Sequence, residues 1–151
     1  MQDKDFEKYF ISEVSSNERA LAMFEKMCSS DATEASKWFV YNWSNCDNFY
    51  HIVDDVRDIL EGFNFRAEDL VLDKDRWWWN SLPEELLVYR GCEEGRENGL
   101  SWTLDKTVAE VFAQGHRARS LAKPQIYEKT IRKSQDVFFA TNLREEQEVV
   151  C

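Results

Sequence analysis

Residues 99–105, Gly99-Leu100-Ser101-Trp102-Thr103-Leu104-Asp105, decide how this chain folds. Leu100, Trp102 and Leu104 alternate with Ser101 and Thr103, the period of a strand with one apolar and one polar face. Asp105 is placed to cap a helix whose buried side is expected to be Val108, Ala109, Val111, Phe112 and Ala113, with Gly115 as its stop. A strand feeding a capped helix predicts that the helix covers the Leu100, Trp102 and Leu104 face. Ser101 and Thr103 then project the other way.

Four further stretches around this one carry the strand period: 86–91, 125–132, 137–140 and 146–151. The first half of the chain is helical instead. Phe6, Tyr9, Phe10 and Val14 follow helical spacing, as do Ala20, Leu21, Phe24, Met27 and Cys28. Asp31-Ala32-Thr33-Glu34 resembles a capping box, opening a third helix with Ala35, Trp38, Phe39 and Trp43 on one side. A fourth is expected to start near Asp47, bury Phe49, Ile52, Val53, Val56, Ile59 and Leu60, and stop at Gly62. Between the halves, 66–72 reads as a short helix, Asp73-Lys74-Asp75 as an exposed turn, and Trp77-Trp78-Trp79 as a hinge packed between lobes. Helices first, then a mostly antiparallel sheet with one internal helix, define an α+β fold. The expected organisation is a single domain over 1–151, with a helical lobe at 1–84 and a β-rich core at 85–151.

The chain is 43% hydrophobic and 14% aromatic, with only 5 Gly and 2 Pro, which describes a globular protein with a proper core. Lys+Arg 19 against Asp+Glu 29 gives a net charge of -10. That balance argues against general nucleic-acid or anionic-membrane binding. The basic run His116-Arg117-Ala118-Arg119 with Lys123 follows a helix end and is read as offsetting that helix dipole. Cys28, Cys46, Cys92 and Cys151 lie far apart, without zinc-site spacing. With no signal-peptide pattern at the amino terminus, they are expected to be reduced thiols in a cytoplasmic protein.

Polar residues interrupt the apolar strands at three places. Leu86-Leu87-Val88-Tyr89-Arg90-Gly91 ends in a guanidinium on the face of Leu86 and Val88, and an arginine at a buried margin needs an anion, either a bound phosphate or carboxylate or an acidic side chain of the chain itself. Ser101 and Thr103 put two hydroxyls on one strand face. Glu146 and Glu148, two apart on the last strand, are expected to share a face, with Val149 and Val150 as its anchor. A solvated edge strand explains the last pair equally well when it stands alone.

Taken in order, Val88-Tyr89-Arg90-Gly91, Gly99-Leu100-Ser101-Trp102-Thr103 and Glu146-Gln147-Glu148-Val149 resemble the Arg…Ser-x-Ser/Thr…Glu-x-Glu signature of the arginine-type mono-ADP-ribosyltransferases. The resemblance covers residues 85–151. Over 1–84 it extends only to helices preceding the arginine strand, an order found in bacterial toxins of this fold. It implies NAD as co-substrate, with Arg90, Gly91, Ser101, Trp102 and Thr103 as its binding residues and Glu148 and Glu146 as catalytic ones. Arg90 would grip the phosphates, Ser101 would hydrogen-bond the catalytic glutamate, and Thr103 would brace the same wall. Glu148 would stabilise the charge growing on the ribose, and Glu146 would position the acceptor and help deprotonate it.

Chemistry supports this division of labour. Nicotinamide in NAD is already cationic and leaves without a general acid, so the demand falls on a carboxylate beside the developing sugar cation. A second carboxylate is then available as base for the nucleophile. The implied activity is transfer of ADP-ribose to a protein side chain, most naturally arginine on a basic target, by a toxin-like or viral effector. NAD hydrolysis, or a non-catalytic inhibitor on a degenerate scaffold, are the competing readings. The chain also departs from the family pattern: it stops soon after Glu-x-Glu, and 92–100 is short.

Overall fold

A computed structural model describes residues 3–15, 18–46, 50–115 and 121–151, arranged as an α+β protein. The chain divides into two compact units, Met1–Ile59 and Leu60–Cys151.

The first unit holds α1 (Asp3–Ser12), α2 (Arg19–Cys28) and α3 (Ala32–Asn42), and most of α4 (Val53–Gly62), which runs across the division. The Asp31 half of the expected capping box is present: its side chain accepts from the Glu34 N–H at 2.8 Å, satisfying a first-turn donor. Phe10, Met23, Phe24, Met27, Ala35, Phe39 and Trp43 are buried. Phe6 and Phe10 meet Trp38 edge-on, at 5.0 and 6.0 Å between ring centroids. Arg19 closes the end of α1 by donating to the carbonyls of Val14 and Ile11, both at 3.0 Å. The start expected for α4, at Asp47 and Phe49, lies outside the described residues, as does the basic run at 116–119.

In the second unit, α5 (Ala67–Leu70) and α6 (Asp73–Ser81) precede the sheet. Its strands are β1 (Glu85–Glu93), β2 (Ser101–Thr103), β3 (Pro124–Arg132), β4 (Phe139–Thr141) and β5 (Glu148–Val150), in the order β3-β1-β2-β5-β4. Every pairing is antiparallel. The helix α7 (Lys106–Ala113) follows β2, and a single turn, α8 (Lys133–Asp136), joins β3 to β4.

The division between units falls at 59/60 rather than 84/85, because α5 and α6 belong to the core of the sheet unit. Ala67, Val71 and Trp79 cluster with Leu86, Val88, Trp102, Ile131, Ala140 and Val149. The three tryptophans are therefore not a hinge. Trp79 is fully buried, Trp78 is partly so, and Trp77 is 85% exposed, as helical phase requires for successive residues. Asp73-Lys74-Asp75 is not an exposed turn either: it forms the first turn of α6 with Asp75 buried.

The face assignment for α7 is also reversed. A Cβ on Gly91 would run into the Ala109 carbonyl oxygen and stand 2.7 Å from Ala113 N, so α7 packs on the Gly91 side of β1. The Trp102 side is occupied by α5 and α6. Sequence alternation distinguishes the two faces but is silent on which helix reaches which. Within α7, Ala109 and Ala113 are buried as expected, whereas Val111 is 59% exposed.

Candidate functional site

Antiparallel register places one residue from each strand in a row across the sheet: Glu128, Tyr89, Thr103, Glu148 and Thr141. Directly opposed residues share a face, so Glu148 lies between two threonines, both buried. Ser101, two residues before Thr103, shares this face and donates its hydroxyl hydrogen bond diagonally to Glu148 Oε2. A half-buried carboxylate held by a hydroxyl is a defined acceptor whose orientation the neighbouring strand sets.

Glu146 reaches this region by a different route from the one expected. The strand begins at Glu148, and Glu146 ends a 3-10 turn at Leu143–Glu145. Arg144, Glu145 and Gln147 all adopt left-handed backbone, with φ of 56°, 58° and 47°. Each such non-glycine residue costs on the order of 1 kcal/mol, so the turn persists only if its surroundings hold it. They do so from several sides. The Thr103 hydroxyl donates to the Glu146 carbonyl at 2.6 Å and accepts from the Asp105 N–H at 3.0 Å. Leu104 N–H donates to the Gln147 carbonyl at 3.1 Å, and Asn142 Oδ1 accepts from Gln147 N–H at 3.2 Å. Glu146 and Glu148 are thus not a strand pair related by period two. Glu148 belongs to the ladder and Glu146 to a braced turn.

Arg90 is half-buried, and alternation sets it on the opposite face, with Val88, Trp102 and Val149. Its Nε donates to the Arg96 carbonyl and its Nη1 to the Ser101 carbonyl, both at 2.9 Å. Gly99 lies flat against the guanidinium, where a Cβ would stand 2.6 Å from Nε. Through these two bonds Arg90 ties the loop before β2 to β1. Beside it, burial pushes the Cys92 thiol up, while the Arg90 guanidinium acts in the other direction.

Two further expected binding residues, Trp102 and Gly91, have packing roles. Trp102 is buried, its indole N–H donating to the Gly99 carbonyl at 2.8 Å, with the Lys129 ammonium 4.2 Å from its ring centroid. Gly91 is the seat of α7. Ser101, Thr103 and Glu148 share one face with Gly91, and Glu146 joins them through its carbonyl; Arg90 and Trp102 lie on the other face.

Sequence reasoning missed Asp75 and Thr141. Asp75 is 6% exposed, and its Oδ2 accepts from the Thr141 hydroxyl at 3.0 Å. An aspartate in the first turn of a helix reads as a surface residue that complements the dipole, so no local signal marks it as buried.

Among the described residues, no cluster of histidine, cysteine or carboxylate side chains suits a metal, and no helix is long and apolar enough to cross a membrane. None of the four cysteines is joined in a disulfide. Comparisons of the chain with protein-family models, curated proteins and solved structures find no match.

Proposed function

We propose that this protein is a mono-ADP-ribosyltransferase that transfers ADP-ribose from NAD to a protein side chain, arginine being the favoured acceptor. The observation that carries the proposal is the Ser101–Glu148 hydrogen bond, flanked by Glu146 on a braced turn. Glu148, oriented by Ser101, stabilises positive charge at the ribose as nicotinamide departs. Glu146, on a separate backbone element, orients the acceptor and takes its proton. The -10 net charge favours a basic target protein.

The residues suit NAD at its sugar end. At its phosphate end they depart from the resemblance, since Arg90 stands behind Ser101 and holds loop carbonyls. Its role in this reading is to hold the Ser101 strand in register, not to grip phosphate.

That geometry also favours a second reading, a non-catalytic binding module that keeps the scaffold for its shape. Incubation of purified protein with NAD tagged on its adenine decides between them. Nicotinamide release, label on a protein acceptor, and loss of both in Glu148→Gln support the transferase. No release and no label from the wild type overturn it. Release without label, unchanged by Glu146→Ala, assigns hydrolysis instead.

A further inference from the structure

We infer that Asp75 is a positioning residue for the acidic turn, acting through Thr141; its catalytic sense rests on the transferase reading. Asp75 stands in the first turn of α6, the helix whose Trp79 enters the core beneath the sheet. Almost every other buried side chain in this unit is apolar, so a carboxylate there needs a stated partner. Its partner is a single hydroxyl with a defined polarity. Thr141 donates its proton to Asp75 Oδ2 at 3.0 Å, which leaves its oxygen to accept the Leu143 N–H at 3.3 Å. Leu143 opens the 3-10 turn that ends in Glu146.

Thr141 is also the register partner of Glu148. The Asp75–Thr141 strut therefore meets the strand carrying one carboxylate and the turn carrying the other. It fixes where Glu146 stands relative to Glu148. Thr103 braces the far end of the turn through the Glu146 carbonyl, and Asn142 closes it onto Gln147. A turn with three left-handed non-glycine residues relaxes readily when one brace is cut. Glu148 would keep its place through the Ser101 bond and the β2–β5 ladder. Cutting the strut thus separates the two carboxylates functionally: the sugar contact survives, and acceptor orientation is lost.

The test compares wild type with Thr141→Val, Thr141→Ser and Asp75→Leu, using tagged NAD and a cell lysate. Thr141→Val and Asp75→Leu are expected to lower protein labelling roughly tenfold more than nicotinamide release, the effect of sub-ångström misplacement of a reacting group. Thr141→Ser keeps the hydroxyl and should keep the wild-type ratio. Parallel loss of labelling and release, or an unchanged ratio in Thr141→Val, overturns the inference. Amide hydrogen exchange separates this outcome from failure of the transferase reading itself. Leu143 and Gln147 should exchange faster in Thr141→Val whether or not the wild type acts on NAD. Unchanged exchange at both amides would sink the strut, and an inactive wild type would sink only the transferase reading.

Discussion

The Ser101 hydroxyl donates to the Glu148 carboxylate across the β2–β5 ladder, while the Ser101 carbonyl accepts from Arg90 Nη1 at 2.9 Å. One residue is held from both sides, and the carboxylate inherits that order. This arrangement and the packing of α7 beside it are open to measurement.

Glu148→Gln keeps the shape of the side chain and removes its charge. On the proposed transferase reading, nicotinamide release should fall about 10²–10³-fold, the usual loss when one preorganised electrostatic group is removed. Ser101→Ala should fall by about tenfold, since the carboxylate stays on its strand but loses its orienting bond. Steady-state release assays on both variants check the order; equal losses would contradict it.

Arg90 and Gly99 are expected to be energetically coupled. A methyl group at Gly99 enters the space of the guanidinium, so Gly99→Ala should lower the melting temperature. In an Arg90→Ala background that space is vacated, and the same change should cost much less. Thermal unfolding of the two single variants and the double variant forms the cycle, and additive shifts would refute the coupling.

Gly91→Ala places a Cβ against the Ala109 carbonyl, a backbone atom unable to rotate away. Overpacking of this kind should destabilise by about 3 kcal/mol and loosen α7 from β1. Urea unfolding at neutral pH gives the magnitude.

Asp105 caps α7 by accepting from the Thr107 hydroxyl at 2.6 Å and the Thr107 N–H at 2.9 Å. Those bonds hold its carboxyl below the usual aspartate value, the hydroxyl contributing most. A lowered folded-state pKa means that the stabilisation is present above the unfolded value and is lost as pH falls through the folded one. Asp105→Ala should therefore melt lower than wild type at neutral pH, with the gap closing in strong acid. A gap that stays constant with pH would assign the effect to helix propensity alone.

How much was readable beforehand depends on the range of the interaction. The Asp31 and Asp105 caps, the stop at Gly115 and the existence of five strands follow from residues within a few positions of one another, although the last strand starts at Glu148 and not at Glu146. The cluster of Ser101, Thr103, Glu146 and Glu148 was legible as residue types in order. Its geometry was not, because the Glu146 turn is bent by three left-handed residues that no strand period anticipates.

The sequence by itself determined which residues alternate, where the helices capped by Asp31 and Asp105 begin, and which polar groups interrupt apolar strands, since these depend on backbone periodicity and nearest neighbours. Only the tertiary structure decided the rest. It put α7 on the Gly91 face and α6 on the Trp102 face, tied Arg90 to two loop carbonyls, and buried Asp75 against Thr141. The physical reason is the same in each case. A side chain's partner is set by strand register and helix packing between residues up to 66 positions apart, and local pattern carries no information over that distance.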